Sequence, residues 1–366
     1  MLAAAGGIDA IGAGSLNGPH ELEAIGAPAL TDANTAKGST MTSHTLATRH
    51  EARGQESRGR DSLDSGLAMD AVTLRVGDLD GMSDYYERAL ALQPIEEIPI
   101  GAEVHRALGR GATPMIRLIH TPDLPGANPR DAGLFHTAFL FDDAASLAAT
   151  VYRTAQDPRS RFAGSADHLV SEAFYFTDPE GNGIELYVDR PREQWSYADG
   201  KLRMDTIRLD PHAYLKEHLN ETVLESVARQ SGRVGHVHLQ VGDLRQARSF
   251  YVDAIGFDPT VDDYPGALFA AAGGYHHHVA MNTWNSRGAG PRAARLGLGN
   301  VAITLPSRTE LDHAAERLRN LNIAFADTGN VLVTHDPWGT QITLALPGRS
   351  AEALLDDGRE TQRRQQ

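Results

Sequence analysis

The chain repeats one pattern four times, which restricts it to a fold built from copies of one unit. "AVTLRVGDLDGMSDYYERAL" from Ala71 is echoed by "GHVHLQVGDLRQARSFYVDAIGF" from Gly235: an alternating strand, a polar turn ending in Asp, then an amphipathic helix. Met82, Tyr85, Tyr86 and Leu90 predict one apolar helix face, and Ala247, Phe250, Tyr251 and Ile255 predict its counterpart. Two weaker copies complete the set, "FHTAFLFDDAASLAATVY" from Phe135 and "NVAITLPSRTELDHAAERL" from Asn300. The turn residues Asp78, Asp143, Asp243 and Ser307 lie 65, 100 and 64 residues apart in turn, so two pairs of modules flank an insertion. Three short extended runs follow each helix, and modules 2 and 4 close on "DPEGNGIELYV" and "DPWGTQITLAL". The unit is βαβββ and the fold class α+β.

The periodicity also sets expected boundaries. Residues 1–68 are rich in Gly, Ala, Ser and Thr, lack a lasting hydrophobic period and read as a disordered leader. Residues 69–189 hold modules 1 and 2, 190–232 form a linker containing one helix within "DPHAYLKEHLNETVLESVAR", 233–349 hold modules 3 and 4, and 350–366 form a polar tail.

Composition narrows the chemistry. The chain has no cysteine, so a metal must be held by His, Asp or Glu, and its sixteen histidines permit that. The 34 basic and 48 acidic residues give a net charge of −14 with no basic patch, which argues against a nucleic-acid partner. "MLAAAGGIDAIGAG" lacks a basic start and a sustained apolar run, and no stretch reaches about 18 apolar residues. No membrane association and a cytoplasmic location are the expectation. No nucleophile elbow, P-loop or dinucleotide fingerprint occurs in a strand-to-helix context.

Four βαβββ units with these signatures resemble the vicinal oxygen chelate superfamily of glyoxalases, fosfomycin- and bleomycin-resistance proteins and extradiol dioxygenases. The resemblance covers about Asp70 to Pro347 and implies two glyoxalase-like open barrels. "DHLVSEAFYFTDPEGNGIELYVDRPREQW" and "GHVHLQVGDL", with "AGGYHHHVAMNTW", are similar to the catechol 2,3-dioxygenase branch. In this superfamily a metal ligand on a module's first strand lies seven residues before the turn Asp. That offset falls on Ala71, His136, His236 and Asn300, and only the two histidines are good ligands. The family carboxylate on the last strand matches Glu185 in module 2 and Thr343 in module 4. Pairing modules 1 with 2 and 3 with 4 would split His136 and Glu185 from His236. Pairing 2 with 3 would unite all three as a two-His, one-carboxylate triad suited to Fe(II) or Mn(II).

The same resemblance assigns the remaining candidates. The "HHH" triplet matches a family histidine pair, which puts an acid/base role on His277, or on His278 if the register slips by one. Strand alternation would turn His276 and His278 one way and His277 the other. Tyr175 and His168 would bind substrate, His238 would orient a ligand or pack at the cavity floor, and Asn282 and Trp284 would line the pocket. A half-buried strand aromatic explains Tyr175 nearly as well, and whichever histidines of the triplet do not face the cavity read as solvated or interface positions. The implied reaction is extradiol cleavage of a small aromatic diol by O₂, with homo-oligomerisation expected on general grounds. A glyoxalase- or thiol-transferase-type metal enzyme, and a metal-free binding protein like the bleomycin-resistance relatives, are the competing readings.

Overall fold

All four marker residues are helix N-caps. Asp78, Asp143, Asp243 and Ser307 hold extended backbone and accept hydrogen bonds from N–H groups of the following first turn, satisfying donors that lack a partner inside the helix. The computed structural model describes residues 62–101 and 103–348. A short strand β1 (Ala68–Met69) precedes module 1, which comprises β2 (Val72–Val76), α1 (Leu79–Leu90), β3 (Gln93–Ile100), β4 (Glu103–Arg110) and β5 (Thr113–His120). Module 2 comprises β6 (Gly133–Phe141), α2 (Ala144–Gln156), β7 (Arg161–Asp167), β8 (Ser171–Thr177) and β9 (Gly183–Asp189). The insertion carries β10 (Tyr197–Ala198), β11 (Lys201–Leu202), β12 (Ile207–Arg208), α3 (Pro211–His218) and α4 (Glu221–Glu225). Module 3 comprises β13 (Arg233–Gln240), α5 (Leu244–Arg248) continuing as a π-helix over Ser249–Ile255, β14 (Asp258–Val261), β15 (Ala267–Ala271) and β16 (Val279–Asn282). Module 4 comprises β17 (Gly297–Thr304), α6 (Arg308–Asn320), β18 (Phe325–Asp327), β19 (Val331–His335) and β20 (Gln341–Ala345).

The sheets cut across the chain-order division into 69–189 and 233–349. One runs β18-β19-β20-β17-β2-β5-β4-β3, with β1 beside β17; the other runs β12-β7-β8-β9-β6-β13-β16-β15-β14. Modules 1 and 4 therefore share the first sheet and modules 2 and 3 the second, joined by the antiparallel pairs β2 with β17 and β6 with β13. The end strands of each sheet are not bonded to each other, so both sheets stay open. Burial explains the order: β6, β13 and β17 are almost continuously buried and sit centrally, while β3 and β14 are largely exposed and lie at edges.

Helices tie the modules together within each chain half, 1 to 2 and 3 to 4. The predicted faces Met82, Tyr85, Tyr86, Leu90 and Ala247, Phe250, Tyr251, Ile255 are all buried. The Tyr86 hydroxyl donates to Asp178, 2.9 Å away, and the Tyr251 hydroxyl to Asp336 at 3.0 Å, so each odd module's helix grips the turn that launches the next module's last strand. Asp178 also accepts from Glu180 N, Asn182 N and Asn182 Nδ2, which makes "DPEGNG" a structural turn.

Two expected boundaries move. Residues 62–68 are ordered rather than part of the leader, because Leu63 and Leu67 supply buried apolar surface and Ala68 pairs with Thr304. The rest of the leader, 1–61, and the tail 350–366 lie outside the described residues. The single linker helix is two, broken at Leu219 and Asn220, where the Asn220 side chain caps α4 by accepting from Val223 N. Among the described residues no helix is long and apolar enough to cross a membrane.

Close backbone approaches set the second sheet's geometry. A Cβ on Gly183 would lie 2.0 Å from the Phe135 carbonyl oxygen, so only glycine lets β9 press against β6. A Cβ on Gly235, inside the bulge between Val234 and His236, would lie 1.8 Å from the Tyr187 hydroxyl. Gly235→Ala should destabilise the protein by about 1–3 kcal/mol. Adding Tyr187→Phe should recover part of that loss in a thermal-melt double-mutant cycle. Additive effects would show that the hydroxyl is not the obstacle.

Candidate metal centre and cavity

Strand register brings three distant residues together. Ala138 of β6 lies opposite Glu185 of β9 on one side and His236 of β13 on the other, and Tyr175 of β8 lies opposite Glu185. Side chains in such a row project from the same sheet face. His136, two residues before Ala138, shares that face, and the methyl group of Ala138 leaves the space between its neighbours open. The bulge after Val234 places His236 in this row.

The resulting cluster is tight and buried. Glu185 Oε2 lies 2.8 Å from His136 Nε2 and 3.0 Å from His236 Nε2. The three side chains are at most 8% exposed, and their ligand atoms lie within 4.8 Å of one another. The His136 contact is off the line of a hydrogen bond, so this buried nitrogen lacks a hydrogen-bond partner among the described residues, as does His236 Nδ1. Such groups normally find partners, and two imidazoles and a carboxylate with an orphaned nitrogen suit a divalent cation. Burial opposes the charge on Glu185, but His236 and His136 outweigh it and hold the carboxyl well below its usual range. Burial lowers His236 to about 4, against the pull of Glu185.

A cavity opens above the cluster, lined by His136, Glu185, His238, His277, His168 and Tyr175 among others. His168 Nδ1 donates to the Asp205 carbonyl oxygen at 2.8 Å, so its Nε2 accepts from the Tyr175 hydroxyl at 2.7 Å. Burial and the Glu185 charge push the Tyr175 phenol well above its usual range. Trp284 lines the wall; Asn282 does not reach the cavity and instead donates from Nδ2 to His238 Nε2 at 3.0 Å. The backbone N–H of Trp284 donates to Asn282 Oδ1, which fixes that amide's orientation.

The histidine triplet departs from alternation because it precedes β16 in irregular backbone. His276 and His277 lie together, Nδ1 to Nδ1 at 2.8 Å, with ring centroids 5.9 and 4.0 Å from His236. His278 turns away: its Nδ1 accepts from Ala272 N, and its ring stacks near Phe257. His277 is thus the residue of the pair at the cavity. A second ligand-like group, His236, His276 and His277, overlaps the first at His236.

Several wall residues escaped sequence reasoning. Phe135, Phe269, Tyr264 and Met204 make the cavity aromatic and apolar, and Asp205 and Thr206 come from the segment expected to be only a linker. Phe269 lies on β15 and Tyr264 just before it, whereas Met204, Asp205 and Thr206 arrive because the following strand β12 docks on β7 through tertiary contacts.

The histidines carry a pH signature. Burial lowers His278 to about 3 and holds His277 and His238 well below the usual value, as it does His236. Their unfolded value is about 6.5, so below it the unfolded chain binds protons that the fold refuses. Their contribution is full above pH ~6.5 and is lost as pH falls toward the folded values. Asp178, raised to about 6 by burial, and Asp336, also raised by burial, act oppositely but are two groups against four. The metal-free protein should therefore melt at progressively lower temperature from pH 7 to pH 5, and a flat or rising melting temperature would contradict this balance.

A family model described as the glyoxalase/bleomycin resistance protein/dioxygenase superfamily matches residues 68–186 and 233–343. The chain belongs to this superfamily. Within it, the chain is 38% identical over 219 residues to the catechol-2,3-dioxygenase of Bacillus subtilis, covering 58% of this chain and 75% of that protein. It is 29% identical over 138 residues to a biphenyl-2,3-diol 1,2-dioxygenase of Rhodococcus globerulus, covering 35% of this chain and 68% of that one. A crystal structure of a putative dioxygenase from Bacillus subtilis shares the superfamily fold with a TM-score of 0.53 at 11% identity, covering 79% of this chain and 87% of that one.

Proposed function

We propose that the chain is a type I extradiol dioxygenase that opens a catechol-like ring beside its two hydroxyls, with Fe(II) held by His136, His236 and Glu185. The observation that carries the reading is the convergence of two imidazoles and one carboxylate beneath an aromatic-walled cavity. The catechol and biphenyl-diol activities named for the two relatives support it. Mn(II) accepts the same ligands. When bound, the ion supplies the redox chemistry that lets an aromatic diol react with O₂.

The remaining tasks fall to the chain's own side chains. His277, neutral because it is buried, receives a hydroxyl proton from the diol. Tyr175 stays protonated and, with His168, holds the substrate's oxygen edge. His238 accepts at Nε2 from Asn282, so its proton resides on Nδ1, a donor for the ring's other oxygen. Phe135, Phe269 and Trp284 enclose the ring and exclude water.

Anaerobic loading with Fe(II), then O₂ and a catechol panel, tests the reading. A yellow ring-fission product is expected; a metallated protein that yields none with every catechol overturns it. The panel carries a further expectation. Among the described residues no Lys or Arg lines the cavity, and the carboxylic acids there are Glu185 and Asp205. Alkyl- or aryl-substituted catechols should exceed carboxylated ones in kcat/KM by at least about tenfold, since a buried anion would lack a partner.

A further inference from the structure

We infer that Asp189 and His276 act as positioning residues that fix the tautomer of His277, presenting an unprotonated Nε2 to the cavity. What His277 acts on rests on the catechol reading above; the hydrogen-bond chain does not. Asp189 lies on β9 four residues after Glu185, and its Oδ1 is 2.9 Å from His276 Nε2. Its Oδ2 accepts from the Tyr275 hydroxyl at 2.9 Å, which obliges the Tyr187 hydroxyl to donate to Tyr275, also at 2.9 Å. A carboxylate only accepts, so His276 carries its proton on Nε2 and its Nδ1 is bare. His277 Nδ1 lies 2.8 Å from that bare nitrogen and must therefore donate. A neutral His277 with its proton on Nδ1 has a lone pair on Nε2, the nitrogen left for the cavity that its ring lines.

The surroundings hold this chain rigid. His276 is fully buried, and its ring packs against Tyr275, with centroids 4.0 Å apart, and against Trp195 of the inserted segment at 5.6 Å. The Trp195 indole N–H donates to the Arg190 carbonyl at 2.9 Å, fixing the indole against this cluster. Gly235 leaves room for the Tyr187 hydroxyl at the far end. A base needs its lone pair aimed at the proton it receives, and a partner on the opposite nitrogen sets which lone pair is free.

The test is long-range ¹H–¹⁵N spectroscopy of the full chain labelled with ¹⁵N-histidine, metal-free and with Zn(II) as a diamagnetic probe, with resonances assigned through His276→Gln and His277→Asn. The expected result is Nδ1–H with bare Nε2 for His277 and the reverse for His276. Asp189→Ala should convert His277 to a mixture of tautomers, while Asp189→Asn, which keeps an acceptor, should restore the native form. On a catechol, Asp189→Ala should lower kcat about 10- to 100-fold with KM and metal content little changed, and Asp189→Asn should recover most of it. Wild-type His277 protonated on Nε2, an unchanged tautomer in Asp189→Ala, or Zn(II)-dependent shifts of both Nδ1 atoms, which would mark a metal at His236, His276 and His277, would each overturn the inference. Failure to turn over any catechol leaves the spectra as the deciding measurement and counts only against the reaction.

Discussion

Under the proposed function, Glu185→Ala is expected to leave a folded protein that retains no stoichiometric Fe(II) and cleaves catechols more than about 10³-fold more slowly, because losing the proposed ligand loses the metal's whole contribution. Glu185 is the one carboxylate in the cluster, held against both histidines within 3.0 Å. In the metal-free state the same change should cost little. Burial of the carboxylate is unfavourable and is more than offset by His236 and His136, so its loss costs a modest amount and leaves two neutral imidazoles rather than an unpaired buried charge. The signature is therefore a split: metal content and activity collapse while the metal-free melting temperature moves by only a few degrees. His136→Ala should show the same loss of metal. Retention of a full equivalent of Fe(II) by Glu185→Ala would move the metal elsewhere, the His236, His276, His277 group being the nearest alternative.

His277→Asn should lower kcat by about 10²–10⁴-fold, the usual worth of a positioned acid/base group, with Fe(II) content unchanged. His278→Asn should stay within about twofold of the parent. The difference follows from geometry: His277 lines the cavity with its ring 4.0 Å from that of His236, whereas His278 is held by Ala272 N and faces Phe257. A large loss in His278→Asn with none in His277→Asn would reverse the assignment. A fall in both, with loss of metal, would indicate a collapsed site.

Features with a local cause were legible in the sequence. The turn residues Asp78, Asp143, Asp243 and Ser307 marked helix starts because capping needs only a side-chain oxygen and the next few N–H groups. The buried helix faces followed from a 3.6-residue period for the same reason. His136, His236 and Glu185 were found by family offset, and their inventory suggested which modules must meet; the pairing itself lies in the register of Ala138 with Glu185 and His236. The triplet marks the limit of local reasoning. Alternation presumes a strand, and residues 276–278 are not in one.

By itself, then, the sequence determined the βαβββ unit, its four starts, and the candidate ligands on the first and last strands of its modules. Tertiary structure alone decided that β6 joins β13 and β2 joins β17, that Met204, Asp205 and Thr206 wall the cavity, and that His276 and His277 face each other while His278 turns away. The physical reason is range. Caps and periods act within one or two turns of chain, whereas sheet pairing joins strands about a hundred or more residues apart and is set by which buried central strands can satisfy each other's backbone groups.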